Sequence, residues 1–299
     1  MEFNNKTLRI AVMLYLENEK EGEEKYGHIN TWNVSGVTDM SYMFSGANAF
    51  NQPLSNWNVS NVTNMHGMFG HAKAFNQPLN DWNVSKVINM FGMFCDASSF
   101  NQPLDNWNVS NVISMIKMFK KSQSFNQPLI NWNVGKVINM DWMFCRTKAF
   151  NQPLNDWNVS KVISMFGMFC DTSSFNQPLD NWNVSNVTNM IKMFKNAQSF
   201  NQPLDNWNIA KIINLDFYMF DNTTIGEMLK KHNLTNKQFF ESPTNKKVYQ
   251  ELFPWSRKKD YVMFLVNNQY LPLNKHQEKH EYHPLFDNTD ISKYIAYYL

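Results

Sequence analysis

The chain has 299 residues, 43% of them hydrophobic and 15% aromatic, enough apolar volume for one large or two ordinary folded domains, so whole-chain disorder is excluded. A formal net charge of +2 with 17% charged residues lacks the basic excess of a dedicated nucleic-acid binder, and three Cys are too few for a disulfide scaffold. The longest apolar runs, Ile10–Leu16 and Tyr261–Val266, fall far short of the ~20 residues that span a bilayer, so no membrane insertion is expected.

Residues 1–27 read as an N-terminal helical cap. Thr7 or Asn5 can start a helix whose Leu8, Ala11, Val12, Tyr15 and Leu16 form one apolar stripe. Glu17, Glu19 and Lys20 stand where a signal peptide would carry a small-residue cleavage site. An intracellular or virion-associated location is therefore expected, with the cell surface as the alternative.

Residues 28–220 are an eight-copy repeat. Trp32, Trp57, Trp82, Trp107, Trp132, Trp157, Trp182 and Trp207 recur 25 apart, and Phe50 to Phe200 keep the same step. The consensus is FNQPLxxWNVSxVxxMxxMFxxxxx, broken only in the last copy, where one extra residue separates Leu215 from Met219 and Phe220. Lys73–Phe125 and Lys148–Phe200 differ at 6 of 53 positions, so the array grew by copying blocks of three repeats.

Such a unit is too short to fold alone. Its Asn-Val-Ser-x-Val stretch favours extended backbone, and Met-x-x-Met-Phe fits one helical or 3₁₀ turn. The expectation is a β-rich repeat solenoid, with short parallel strands near Leu54–Asn58 and Val62–Met65 stacking at roughly 4.8 Å per coil. The Phe, Leu, Trp, Val and Met positions become internal columns. Asn58 and its equivalents are expected to form an internal amide ladder, and the FNQPL proline should sit at a strand start or corner.

FNQPLSNWNVSNVTNM followed by MFGHAKAF resembles the repeats of BspA-like leucine-rich-repeat surface proteins of bacteria, protists, algae and large DNA viruses. TLRIAVMLYL with KYGHINTWNVSGVTDMSYMF resembles the opening module of the same arrays. Over residues 1–220 the resemblance implies a right-handed leucine-rich-repeat-type fold and, in some members, attachment at a cell surface. It implies no catalytic residues.

Residues 221–299 change character, and a small helical C-terminal module is expected. Glu227–His232, Asn236–Glu241 and Lys246–Phe253 read as short helices, with Val262, Phe264, Leu265, Ile295 and Leu299 packing together. The segment resembles a C-terminal piece shared by many algal and large-virus proteins.

Candidate chemistry is thin. Cys95, Cys145 and Cys170 occupy one repeat position, and the last two could bridge adjacent coils, although free, partly buried thiols are the expectation. His276, His280 and His283, beside Glu278 and Glu281, have zinc-ligand character, but a solvated loop is preferred and no metal site is assigned. The sequons at Asn33, Asn58, Asn83, Asn108, Asn158 and Asn183 are expected to be buried by the ladder. No phosphate loop, hydrolase elbow or metalloprotease motif is present, so an enzyme is not expected and no cofactor is assigned.

Binding is assigned to the variable pair between the two Met: His66-Gly67, Phe91-Gly92, Ile116-Lys117, Asp141-Trp142, Phe166-Gly167 and Ile191-Lys192. If aligned, these form a ridge of aromatic, aliphatic and charged groups suited to a protein partner. The alternative is that one member of each pair is core. Three functions follow: a non-enzymatic protein-interaction scaffold, a surface adhesin, or an ice- or crystal-binding array. The last needs a flat Thr ladder, whereas Thr38, Thr63, Ile88, Ile113, Ile138, Ile163 and Thr188 make a mixed column.

Overall fold

A computed structural model gives the fold, and it describes residues 2–241 except 205, 214, 216 and 217. Helices α1 (Asn5–Glu17) and α2 (Glu19–Tyr26) lead into a 3₁₀ turn at Ile29–Thr31. The 25-residue coils follow, and α3 (Thr224–Lys231) and α4 (Asn236–Glu241) come after the last coil. The helix expected at Lys246–Phe253, the packing of Val262, Phe264, Leu265, Ile295 and Leu299, and the histidines of HQEKHEYH lie outside the described residues.

The expected β-rich solenoid does not form. Among the described residues there is no strand, only seven isolated parallel bridges, one per pair of coils from Asp39–Asn64 to Ser164–Asn189 plus Glu2–Asn33. The reason lies in the backbone rhythm. Met65, Gly67, Phe69 and His71 donate their amides to the carbonyls of Asn89, Phe91, Met93 and Cys95 in the next coil. Between them, Met68, Gly70 and Ala72 donate instead to carbonyls three residues back, at Met65, Gly67 and Phe69. Residues 67 and 71 have positive φ, and so do their equivalents in the other coils. Extended backbone therefore never lasts long enough for a ladder, and the Met-x-x-Met-Phe segment is a chain of turns rather than a helix.

The internal columns do form. Phe69, Phe94, Phe119 and Phe144 stack with centroids 5.6–5.7 Å apart and planes within 6°. The FNQPL phenylalanines repeat at about the same spacing, and each lies only 4.0–4.3 Å from the preceding Phe of its own coil boundary. The Met, Val, Leu and Trp columns are buried beside them. Aligning one ring type per column keeps the packing dense without any coil needing a private core.

The amide ladder exists at a different position. Asn58 is exposed, and its Oδ1 accepts from the amide of Ser60 in its own turn. The ladder runs instead through FNQPL: Asn51 Oδ1 accepts from the Asn76 amide at 2.9 Å, and Gln77 Nε2 donates to the Asn51 carbonyl at 2.9 Å. The same pair of bonds repeats at Asn101–Asn126 with Gln127, and at Asn126–Asn151 with Gln152. A side chain two residues before proline can serve the neighbouring coil, whereas one two residues before Ser is captured by its own turn.

Asn4, not Thr7 or Asn5, caps α1: its Oδ1 accepts from the amides of Lys6 and Thr7, and Thr7 Oγ1 accepts from the Asn4 amide. Leu8, Ala11, Val12 and Tyr15 are buried against the first coil, while Leu16 is 40% exposed and lies off the stripe. Asn5 performs a different task. Its Oδ1 accepts from the Thr38 amide at 2.8 Å, the place that the Thr38 carbonyl itself takes for Thr63 in the next coil. A side-chain amide thus stands in for the missing preceding coil. At the other end, Phe220 stacks on Phe194 at 5.7 Å and is met edge-on by Phe239 of α4. The extra residue of the last copy is absorbed in register: Phe169 pairs 24 residues ahead with Met193, but Phe194 pairs 25 ahead with Met219.

Candidate functional site

Two residues separate the paired methionines of each coil, and their geometry is set by the turn chain. The second member has positive φ throughout: Tyr42, Gly67, Gly92, Lys117, Trp142, Gly167 and Lys192 lie between 56° and 59°. Where the next coil has glycine at this position, the ring of the second member lies over it: Tyr42 over Gly67 and Trp142 over Gly167.

The result is one line of rings and cations. The Tyr42 and His66 rings lie 4.6 Å apart, the His66 and Phe91 rings 4.5 Å, and Trp142 and Phe166 meet edge-on at 4.5 Å. Lys117 places its ammonium 5.5 Å from the Phe91 ring centre. Lys120 and Lys195, three residues farther on, reach Trp142 at 5.1 Å and Tyr218 at 4.8 Å. Such cation–ring contacts contribute about 0.5–1 kcal/mol at exposed sites.

All nine residues of the expected ridge, His66, Phe91, Ile116, Lys117, Asp141, Trp142, Phe166, Ile191 and Lys192, are half-buried, and Gly67, Gly92 and Gly167 are buried. The ridge therefore serves packing and surface at once. Asp141 is the member most committed to packing: its Oδ1 accepts from the Phe166 amide at 2.8 Å, and its own amide donates to Asn139. Sequence reasoning missed Tyr42, Lys120, Lys195 and Tyr218. Tyr42 sits one period before Gly67 and was within reach of the pattern. The two lysines join only because the turn chain folds them back over the next coil.

His66 Nε2 lies 2.9 Å from the Tyr42 hydroxyl, and burial pulls the imidazole below its ordinary range against the opposing charge of Asp39. A neutral ring accepting from Tyr42 fits that direction.

A second polar line follows at the other positive-φ position. His71 Nδ1 lies 3.0 Å from Asp96, Arg146 Nε donates to Asp171 at 3.2 Å, and Asn196 donates to Asp171 at 2.6 Å. Beside it, Cys145 and Cys170 are buried, unbridged thiols, and Asp171 stands next to both. Burial would raise the Asp171 carboxyl, but hydrogen bonds from Asn196 and Arg146 outweigh it and hold the group below the usual range.

Residues 16–132, and again 117–232, match the family described as Mycoplasma protein of unknown function, DUF285. The chain belongs to the DUF285 family. The two matched spans begin at the last turn of α1 and together cover α2 and the whole array, so the DUF285 unit is several coils long, not one. Its match carries the BspA-like resemblance of the repeats as far as repeat-family membership. None of the curated proteins matches the chain. Among the described residues no helix of this DUF285 chain is long and apolar enough to cross a membrane.

Proposed function

We propose that the array is a non-enzymatic scaffold that docks a protein partner along the ridge from Tyr42 to Lys192. The observation that carries this reading is the line of rings and ammonium groups: Tyr42, His66 and Phe91 in ring contact, Trp142 against Phe166, and Lys117 and Lys120 over two of these rings. Rings alternating with ammonium groups suit a partner segment that is acidic and apolar by turns.

Affinity capture from native extract, comparing wild type with a folded variant carrying Phe91→Ser, Trp142→Ser and Phe166→Ser, tests it. A partner kept by wild type and lost by the variant supports the ridge. Equal recovery moves the site elsewhere.

Attachment at a cell surface is the second reading. It is favoured by the exposure of Asn33, Asn58, Asn83, Asn108, Asn158 and Asn183, which leaves the sequons accessible rather than buried. Intact mass of the protein from its native source decides whether they carry glycans.

A further inference from the structure

We propose that Cys145, Cys170 and Asp171 form a binding site for a thiophilic divalent cation of the zinc class, held between two adjacent coils. Two thiol sulfurs and one carboxylate oxygen lie within 4.8 Å of one another, and among the described residues this is the one such group of three. Both thiols are buried in the same side-chain column, so the stacking of coils, not a flexible loop, fixes their separation.

The spacing suits a metal. Zinc–sulfur bonds near 2.3 Å in a tetrahedron put ligand atoms about 3.8 Å apart. Cys170 Sγ already lies 3.6 Å from Asp171 Oδ2. The remaining contraction is no more than about 1 Å, the difference between 4.8 Å and that tetrahedral spacing, and side-chain rotation supplies it. Two sulfurs with one carboxylate select a borderline or soft ion over magnesium or calcium, which require oxygen ligands. A fourth position stays open for solvent.

The surroundings are those of a supported site. Asn196 donates to one carboxylate oxygen of Asp171 and Arg146 to the other, fixing the group's orientation. The cation binds the two sulfurs as thiolates and releases their protons on binding. Two thiolates and one carboxylate carry three negative charges, and Arg146 with Lys120 offsets two, leaving an excess that a dication meets.

Cys95 is an internal control. It occupies the same repeat position next to Asp96, but the coils on either side place Gly70 and Lys120 there instead of a second thiol. The site shares Lys120 with the ridge but needs no partner bound there.

The full-length chain, reduced and oxygen-free, is titrated with cobalt(II) and then zinc(II). The expected result is one cobalt per chain with thiolate-to-metal charge-transfer absorption, displaced by zinc, and unchanged in Cys95→Ser. Cys145→Ser and Cys170→Ser abolish the band, and Asp171→Asn weakens binding on the order of tenfold or more. Ser45 fills this repeat position in the first coil, so serine is compatible with the fold. Zinc protection of Cys145 and Cys170, but not Cys95, from alkylation in the wild-type chain needs no variant. Absence of the thiolate band, an equal band in Cys145→Ser, or formation of a Cys145–Cys170 disulfide in the presence of zinc overturns the proposal.

Discussion

The indole N–H of Trp107 donates to the carbonyl of Leu79 at 2.8 Å, reaching from one coil into the one before it. Every later Trp repeats the bond, to Leu104, Leu129, Leu154 and Leu179. The Trp column is therefore a polar tie as well as apolar packing. Trp107→Ala should destabilise by about 3–5 kcal/mol through cavity and transfer terms. Trp107→Phe keeps most of the packing and leaves the Leu79 carbonyl its bond from the Trp82 amide, so losing the indole bond should cost only about 0.5–1.5 kcal/mol. Urea unfolding followed by circular dichroism separates the two; a Phe variant as stable as wild type would show the bond to be dispensable.

The cap works by imitation. Asn5 gives the Thr38 amide the acceptor that each later coil receives from its predecessor, and Asn5 Nδ2 donates to Thr38 Oγ1 at 3.0 Å. Asn5→Ala removes both and should cost about 1–3 kcal/mol. Amide exchange should accelerate at Thr38 and Asp39 while coils beyond Trp82 keep their protection, since each coil contacts only its neighbours. Uniform acceleration along the array would contradict this.

The columns were legible because a residue recurring every 25 positions in a stack must meet its own copies. Strands were inferred wrongly from the β-branched residues of NVSxV, yet Val62 donates to Val59 three residues back, inside a turn. β propensity reports a half-buried fit, not a ladder, and both environments supply one. Positive φ at Tyr42, Lys117, Trp142 and Arg146 could not be read either, because neighbours in the stack, not local preference, impose it. That same backbone turns Asp171 (φ 58°) toward the Cys column, so the pairing of thiols was visible in the sequence and their carboxylate neighbour was not.

Gly92 and Gly167 offer a matched test of the ridge. Both sit in Phe-Gly-Met-Phe-Cys-Asp with φ of 57° and 59°, but different coils precede them. A Cβ on Gly92 would meet only Cys95 Cβ at 3.6 Å, whereas one on Gly167 would lie 2.5 Å from the Trp142 ring. Gly92→Ala should cost roughly 1–2 kcal/mol for left-handed backbone alone. Gly167→Ala should cost about 1–3 kcal/mol more, for displacing the indole. Equal losses in urea unfolding would mean that Trp142 moves aside freely and is not held on the ridge.

His66 gives the ridge a pH dependence whose sign is fixed. Its folded value is depressed from 6.5 by burial, so the stabilisation is present above the unfolded value and is lost as pH falls through the folded one. The mechanism is local: protonated, Nε2 can no longer accept from the Tyr42 hydroxyl, and the charge sits half-buried between the Tyr42 and Phe91 rings. Asp39 and Asp171 are held below their ordinary carboxylate range and stay ionised through this window. The urea midpoint of wild type should therefore fall between about pH 7.5 and about pH 5, and His66→Phe should flatten much of that fall. An unchanged slope in the variant would assign the pH dependence to another group and leave His66 a packing residue only.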